Sequence, residues 1–584
     1  MNPLRFLLLL LLPCMSLSLH AGDLERQRLE WQLKAGDVRN IAGLCRQYVQ
    51  KKLGAVNVAD VDTLLKDKEL AQACYMAHFF AAMGRDKTFI LRELEDKTFC
   101  SWLMDHPEIF EKLAFARTAG PKTLEVLHNI WLKENRELAG QTLNMALGAA
   151  LVSASRKPEE CMARYDFYKK SLQEQKLFPQ FNTLEPWELH IVFQGRESLE
   201  ELAWAQDFLA QKKSFKPHNA GGAACGFIPY RMTNAKNISV HAGGAFYDNK
   251  PITLQLYTEY GGVCGAVSKG STGFVKAKGI PSYTVGQPGH CAFVWKGMDG
   301  KWIIGNDIYG WVWSEGGSAA PWKGSTSTIQ ALTQFNEGKD APASALCHYL
   351  SLLAPTPQQA ESLLQEALKR NPANYPAWQT RAANIRKMGN KEKLALMEQF
   401  RLAFQTNPGL CEHFMKQTLA LDWKKTDVYA VYPLLLNHGE SRDSVDVYMR
   451  NFCAQACKDI PDMAGKLPYE VKTKGAFFKN WLAYYQENRI NRKIRVQTCT
   501  VLEKALPGLM EHEKTATQFL DFYGQTLELW NDKQLLTRAN TFLTAQMEQA
   551  KSPAVKKKLA QTGTKVAELL QDKKSLSRFA EAVR

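Results

Sequence analysis

Three side chains that together can transfer an acyl group occur in order between positions 257 and 313. Cys264 stands in Tyr-Gly-Gly-Val-Cys-Gly, His290 in Gln-Pro-Gly-His-Cys-Ala-Phe-Val-Trp, and Asp307 in Lys-Trp-Ile-Ile-Gly-Asn-Asp-Ile-Tyr-Gly-Trp. A thiol attacks a carbonyl carbon when a neighbouring imidazole accepts its proton, and a carboxylate can hold that imidazole in the productive tautomer. The residue types and their order therefore predict a Cys-His-Asp nucleophilic site.

The residues around Cys264 predict that it begins a helix. It follows Gly-Gly-Val at 261–263, and the helix can run over 264–278. The glycines expected to allow close packing of this helix are Gly265, Gly270 and Gly273. The positive end of the helix dipole and the unpaired N–H groups of the first turn favour a reactive thiolate there. The backbone N–H of Cys264 is also a natural donor to an oxyanion.

The other two residues are expected on adjacent strands of a hairpin. Residues 290–295 alternate like a strand, 297–300 are a turn, and 301–305 resume as a second strand. With a four-residue loop, the opposed pairs are Trp295 with Trp302, Phe293 with Ile304, and His290 with Asp307. Opposed Cβ atoms lie about 4.5–5.5 Å apart, so the Asp307 carboxylate is expected to accept from the Nδ1–H of His290.

A second cysteine, Cys291, is the alternative nucleophile. Because it follows His290 directly on a strand, its side chain is expected on the opposite face, toward Asn306. This placement favours Cys264 as the nucleophile. The alternative interpretation of the whole constellation is a set of chemically inert residues in a small buried domain.

Four motifs carry a resemblance to a known family. They are Gly-Gly-Val-Cys-Gly, Lys-Gly-Ile-Pro-Ser-Tyr at 278–283, Gly-His-Cys-Ala-Phe-Val-Trp, and Gly-Lys-Trp-Ile-Ile-Gly-Asn-Asp. Over residues 230–322, roughly, the chain resembles the bacterial transglutaminase-like superfamily. The resemblance implies a papain-like α+β core with Cys264 as nucleophile, His290 as base and acid, and Asp307 as the orienting group.

The sequence also departs from the pattern of that family. Gly-His-Cys-Ala replaces the commoner His-Ala-Trp continuation, and Asn-Asp-Ile at 306–308 replaces the usual Asp-Pro. The side-chain oxyanion donor is not identified, and Gln255 and Asn234 are the candidates. The superfamily includes cross-linking enzymes, proteases, amidases and catalytically dead forms, so the fold alone does not choose among them.

Aromatic residues are dense around the predicted site. They are Tyr257, Tyr260, Tyr283, Trp295, Trp302, Tyr309, Trp311, Trp313 and Trp322. Core packing accounts for most of them, and a ligand cleft lined by Trp311 or Trp313 is the alternative. His218 and His241 are further residues that could approach the site. Because no zinc-type ligand set and no phosphate-binding glycine motif is present, neither a metal nor a cofactor is expected.

The pattern of apolar, charged and glycine residues along the chain predicts an α+β fold in which a central domain lies between helical regions. The predicted segments are a signal peptide at 1–21, an α-helical domain at 22–216, the transglutaminase-like domain at 217–330, and an α-helical domain at 331–584. Ala-Leu before Asn371-Pro372 and Ala-Phe before Asn407-Pro408 recur at a 36-residue spacing that resembles tetratricopeptide repeats. Residues 427–584 show further helices without a repeat of fixed period. These helical regions could hold a protein partner or serve only as a scaffold.

The first 21 residues indicate the compartment of the protein, and the overall charge indicates which partners are not expected. Arg5 precedes an apolar run that ends in small residues at Ala21, as in a secretory signal peptide, so the protein is expected in the periplasm, at the cell surface or secreted. Cys14 follows a proline, which fits a lipid-anchored start poorly. No later apolar run is long enough for a membrane span. The net charge of +15 is dispersed, so no nucleic-acid partner is expected.

The sequence therefore predicts an exported thiol-dependent enzyme that transfers acyl groups from peptide or protein amide bonds, by hydrolysis or by cross-linking. The alternative is a catalytically silent transglutaminase-like protein that binds or assembles a partner through its helical arrays. Export permits disulfides among the twelve cysteines that remain of thirteen once Cys14 leaves with the signal peptide, but their spacing fixes no pairing. The oligomeric state stays open.

Overall fold

The structure is a computed structural model that describes residues 38–55, 61–83, 97–120, 122–287, 289–308, 311, 321–322, 326–404, 407–420, 482, 486 and 492–583. The predicted signal peptide, Tyr309 and Trp313 lie outside these residues. The described chain is mostly helical with one three-stranded antiparallel sheet, which confirms the general α+β class. No helix in these ranges is both long enough and apolar enough to cross a bilayer.

Two compact units divide the chain. The first draws its described residues from 1–308 and 314–377, and the second from 309–313 and 378–584. Helices α1 to α10 of the first unit are Val38–Ala55, Val61–Lys66, Lys68–Ala82, Lys97–Asp105, Pro107–Ala116, Thr123–Lys133, Gly140–Val152, Pro158–Gln173, Pro186–Phe193 and Leu199–Ala210. There follow α11 (Ala220–Cys225), α12 (Leu254–Tyr260), α13 (Cys264–Ala277), β1 (Ser282–Gln287), β2 (His290–Lys296), β3 (Trp302–Gly305), α14 (Thr328–Glu337), α15 (Ala341–Ser351) and α16 (Pro357–Arg370).

Further helices follow α16 in the described part of the chain. They are α17 (Tyr375–Asn384), α18 (Asn390–Ala403), α19 (Pro408–His413), α20 (Arg492–Leu509), α21 (Glu513–Trp530), α22 (Lys533–Gln549), α23 (Pro553–Leu570) and α24 (Lys573–Val583). The two Asn-Pro dipeptides lie at helix boundaries in different roles. Asn371 is the C-terminal cap of α16, whereas the Asn407 side chain accepts from Leu410 N–H at the start of α19.

The last four helices contain a repeat that the sequence did not reveal. The boundaries of α23 lie 40 positions after those of α21, at 553 against 513 and 570 against 530. A left-handed residue ends each helix, and an aspartate then caps the next one: Asn531 with Asp532, and Gln571 with Asp572. Corresponding buried positions include Phe519 with Leu559, Leu520 with Ala560, Thr526 with Val566, and Leu527 with Ala567.

Helix α13 lies at the centre of the first unit. Its C-terminal carbonyls are bound by side chains from earlier helices: Tyr168 donates to the oxygen of Lys276 at 3.1 Å, and Gln206 donates to that of Ala277 at 2.8 Å. These bonds satisfy acceptors that have no partner inside the helix. The N-terminal helices therefore hold the central helix directly by its C-terminal end.

The three strands follow one another as β1-β2-β3, but the register of the second hairpin differs from the prediction. Phe293 pairs with Gly305, Trp295 with Ile303, and Lys296 with Trp302. The predicted pairs of Trp295 with Trp302 and of Phe293 with Ile304 are therefore wrong by one residue.

The loop between β2 and β3 explains this shift. It contains five residues, 297–301, closed by a bond of 2.8 Å from Gly297 N–H to the carbonyl of Lys301. This bond encloses a three-residue turn, 298–300. Gly300 has a φ of +81°, which is typical of such a turn with a glycine bulge. Gly305 also leaves room for the Phe293 ring, because a Cβ at that position would lie 2.6 Å from it.

Candidate active site

Two glycines direct the chain into the nucleophile helix. Gly261 ends α12 with a φ of +72° and a ψ of −148°, a conformation open essentially to glycine alone. A Cβ at Gly261 would lie 2.1 Å from the carbonyl oxygen of Pro229. The next residue, Gly262, donates its N–H to that same oxygen at 3.0 Å and accepts from Arg231 N–H at 3.0 Å. This close backbone approach fixes where α13 begins.

Cys264 is the first residue of α13, as predicted, and its side chain is half-buried. Within the described residues, the N–H groups of Cys264 and Gly265 have no intramolecular acceptor. A Cβ at Gly265 would meet nothing within 4 Å, so the helix end borders open space. Two unpaired donors beside a thiol form a site that could bind an oxyanion.

The glycines of α13 differ in what surrounds them. A Cβ at Gly270 would lie 2.3 Å from Ile228, and one at Gly273 would lie 2.5 Å from Leu254, so both positions require close packing as predicted. Gly265 faces open space instead, and the prediction that it serves packing is wrong.

His290 begins β2 and is oriented by a main-chain carbonyl. Its Nε2 lies 2.6 Å from the carbonyl oxygen of Asn306. Because a carbonyl oxygen only accepts, the proton of the neutral ring must be on Nε2, which leaves the lone pair on Nδ1. The predicted orientation was the reverse, with Nδ1–H held by Asp307. The tautomer that this bond requires makes Nδ1 the basic atom.

Asp307 follows β3 and is exposed. Its Oδ1 accepts a hydrogen bond of 2.6 Å from Nε2 of Gln287, the residue that pairs with His290 across β1 and β2. Gln287 also accepts from Ile308 N–H at 3.2 Å. The prediction that His290 and Asp307 oppose each other in the ladder is wrong, because the pairing of β2 with β3 ends at Phe293 and Gly305.

Asn306 connects the nucleophile helix to the sheet, and sequence reasoning missed its importance. Its Nδ2 shares two N–H donors among three acceptors: the carbonyl of Cys264 at 3.2 Å, the hydroxyl of Ser268 at 2.9 Å and the carbonyl of Cys291 at 3.0 Å. Asn306 has a φ of +50°, a left-handed conformation that asparagine adopts more readily than most residues. An asparagine directly after a strand was the available signal.

Cys291 faces α13, contrary to the expectation that it turns away from the nucleophile. Burial raises the pKa of its thiol, while a hydrogen bond with Ser268 lowers the pKa and the neighbouring Cys264 raises it. Because successive strand side chains point to opposite faces, His290 starts β2 on the other face of the sheet. Within the described residues no hydrogen bond joins the Cys264 thiol to His290. Asn306 links the two residues instead.

The other candidate residues have different partners. Gln255 is exposed and donates to Glu259 at 3.1 Å on its own helix. The amide of Asn234 is buried in its own loop, where it donates to Phe246 at 2.8 Å and accepts from two backbone N–H groups. His218 and His241 are exposed. Neither amide is brought to Cys264, and the unpaired backbone N–H groups are the better oxyanion donors.

Most aromatic residues of the central stretch belong to the core. The buried ones are Tyr257, Tyr283, Trp295, Trp302 and Trp322. Tyr260 donates to Asp248 at 2.7 Å.

All ten cysteines in the described ranges have free thiols, and no group of His, Cys, Asp or Glu residues there could hold a metal ion. The chain matches no protein-family model, no curated protein and no solved structure.

Proposed function

We propose that the protein is an exported thiol-dependent enzyme that transfers acyl groups from peptide or protein amide bonds, on a transglutaminase-like, papain-like core. One observation carries this proposal: Asn306 binds Cys264 through its amide and His290 through its carbonyl. The residue that carries the thiol, through its main-chain carbonyl, and the residue that carries the imidazole are thereby both bound to Asn306. A thiol served by an imidazole is the minimum that thiol acyl transfer requires.

Because His290 is the first residue of β2, the proposal requires its Nδ1 to reach Cys264 around the end of the strand, directly or through one water molecule. The reaction begins when Nδ1 accepts the Cys264 proton. The thiolate forms a bond to the amide carbonyl carbon, and the resulting oxyanion accepts hydrogen bonds from the N–H groups of Cys264 and Gly265. When the C–N bond breaks, the leaving amine takes the proton from Nδ1. A thioester on Cys264 remains, and water or a second amine resolves it with His290 acting again as base.

The Asn306 carbonyl has a defined part in these steps. It accepts from Nε2–H throughout, so it stabilises the positive imidazolium that forms when Nδ1 is protonated. Hydrolysis and cross-linking share every step up to the thioester and differ only in the acceptor. The proposal therefore covers a protease, an amidase and a cross-linking enzyme.

Alkylation of the intact protein by iodoacetamide near neutral pH tests the proposal. Cys264 is expected to react fastest of all the cysteines when the labelled sites are mapped by mass spectrometry. His290→Ala is expected to slow labelling of Cys264 by at least about tenfold, because the thiol loses its base. His218→Ala, which removes an exposed histidine, is the matched control and should change nothing. Equal labelling in the wild type and in His290→Ala would refute the pairing.

The second candidate function is a silent binding or assembly protein. The 40-residue repeat of α21–α24 favours it, because stacked helix pairs present extended surfaces to a partner. Slow labelling at every cysteine would support this function over the enzyme. Removal of residues 492–584 from such a protein would abolish partner capture, whereas Cys264→Ala would leave capture unchanged.

A further inference from the structure

We propose that Asn306 is a positioning residue that sets the nucleophile and the base relative to one another. The proposal rests on the thiol acyl-transfer function above and adds a residue that the resemblance does not assign. Asn306 uses two groups that point in different directions, the side-chain amide and the main-chain carbonyl.

The amide joins the first turn of α13 to the start of β2. The carbonyl oxygens of Cys264 and Cys291 lie 3.2 Å and 3.0 Å from the same nitrogen, Nδ2 of Asn306. The hydroxyl of Ser268, one helical turn after Cys264, lies 2.9 Å from that nitrogen and itself donates to the Cys291 carbonyl at 2.7 Å. Movement of the helix end away from the strand would break the bonds of Cys264 and Ser268 to Asn306 and the bond of Ser268 to Cys291.

The three contacts require a donor at this position. Both carbonyl oxygens only accept, and the Ser268 hydroxyl directs its proton to Cys291, so it presents a lone pair to Asn306. An aspartate of nearly the same shape would place a carboxylate against three oxygens. Such a carboxylate would repel all of them.

The main-chain carbonyl of Asn306 has the second function, which is to orient His290. It fixes His290 with Nε2 protonated, as shown above, and the left-handed backbone of Asn306 aims it at the ring. Glycine adopts this backbone conformation without strain, whereas alanine does not. Asn306→Gly therefore removes the amide and retains the carbonyl. Asn306→Asp retains the shape and replaces the donor by an anion.

The test compares Cys264 alkylation rates in the intact wild type, Asn306→Gly, Asn306→Asp and His290→Ala between pH 5 and 9. Asn306→Gly is expected to slow labelling about tenfold, as for loss of one or two hydrogen bonds. Asn306→Asp is expected to slow labelling further and to move its pH profile, because a new anion stands beside Cys264. Asn237→Ala, at an exposed left-handed asparagine, is the control for backbone strain and should leave labelling unchanged.

A double-mutant cycle separates positioning from simple loss of structure. If Asn306 acts through the Cys264–His290 pair, its substitution costs less when His290 is already alanine, so the two effects are not additive. Additive effects, or unchanged labelling in both Asn306 variants, overturn this inference while the enzyme stands. A wild-type protein in which Cys264 is not preferentially labelled overturns the proposed function and the inference together.

Discussion

The imidazole of His290 donates from Nε2 to the main-chain carbonyl of Asn306 over 2.6 Å. This bond places the basic lone pair on Nδ1 and gives the orienting role to a backbone atom. The Asp307 carboxylate, which the sequence nominates for that role, accepts instead from Gln287. The candidate site is therefore organised around the turn that follows β3.

Asp307→Asn should slow the alkylation of Cys264 much less than His290→Ala does. Because the Asn306 carbonyl is the acceptor that fixes His290, loss of the Asp307 charge should lower the Cys264 alkylation rate by less than about threefold, against at least about tenfold for His290→Ala. The rates are measured at pH 7 with the labelled cysteine identified by mass spectrometry. If Asp307→Asn matches His290→Ala, the carboxylate is the orienting group after all.

Gly261→Ala should destabilise the protein strongly. The substitution adds a Cβ 2.1 Å from the Pro229 oxygen at a φ of +72°, and we expect the free energy of unfolding to fall by at least about 3 kcal/mol. Gly265→Ala is the matched control, because its Cβ meets nothing within 4 Å and stability should stay within about 0.5 kcal/mol of wild type. Urea unfolding measures both variants. Equal stability of the two variants would mean that the turn before Cys264 is not the one described.

The ion pair between the buried Glu188 of α9 and the half-buried Lys296 of β2 joins a helix to the sheet at 2.6 Å. Lys296→Met leaves the Glu188 carboxylate buried without its partner and should cost about 3–5 kcal/mol of the free energy of unfolding. Glu188→Leu with Lys296→Met should restore much of that loss, because no charge is then buried. A double variant as unstable as Lys296→Met would show that lost packing, and not the unpaired charge, causes the effect.

The Lys296→Met deficit should also depend on pH. Burial raises the pKa of Glu188, and Lys296 opposes that rise, so removal of the lysine raises the folded pKa further. A raised carboxyl pKa destabilises the folded state as pH rises above the unfolded value. The deficit is therefore expected to be smaller at pH 4 than at pH 7, and a deficit independent of pH would contradict the burial of this carboxylate.

His190 of α9 should make stability fall in mild acid. Burial lowers its pKa to about 4 from the ordinary 6.5, and Lys276 acts in the same direction. A lowered histidine pKa gives a contribution that is complete above pH 6.5 and is lost as pH falls toward 4, worth roughly 3 kcal/mol. His190→Leu should flatten the stability curve over this interval, whereas exposed His218→Leu should not. An unchanged slope in His190→Leu would rule out the buried neutral histidine.

Local patterns predicted the start of α13, the strand that begins at His290 and the general α+β class, because each depends on short-range preferences. The second hairpin register was missed because it depends on one bulge residue, Gly300, and on the space that Gly305 leaves for Phe293. A one-residue shift of this kind changes every opposed pair.

Two further features could not be predicted from the sequence, for other reasons. The role of Asn306 depends on contacts with Cys264, Ser268 and Cys291, which lie far from it along the chain. The 40-residue repeat of α21–α24 keeps its helix ends and buried positions but few residue identities, so self-similarity in the sequence is weak. In both cases tertiary packing determines the feature.

The most direct test of the central claim is cross-linking of the native protein with 1,3-dibromoacetone, a short reagent that alkylates a thiol and then a nearby nucleophile. The account predicts that Cys264 reacts first and that the second bond forms to His290, seen as one cross-linked peptide pair by mass spectrometry. His290→Ala should give Cys264 alkylated at one end only. A cross-link from Cys264 to Cys291 in the wild type, with His290 unmodified, would contradict the assignment of His290 as the base that serves Cys264.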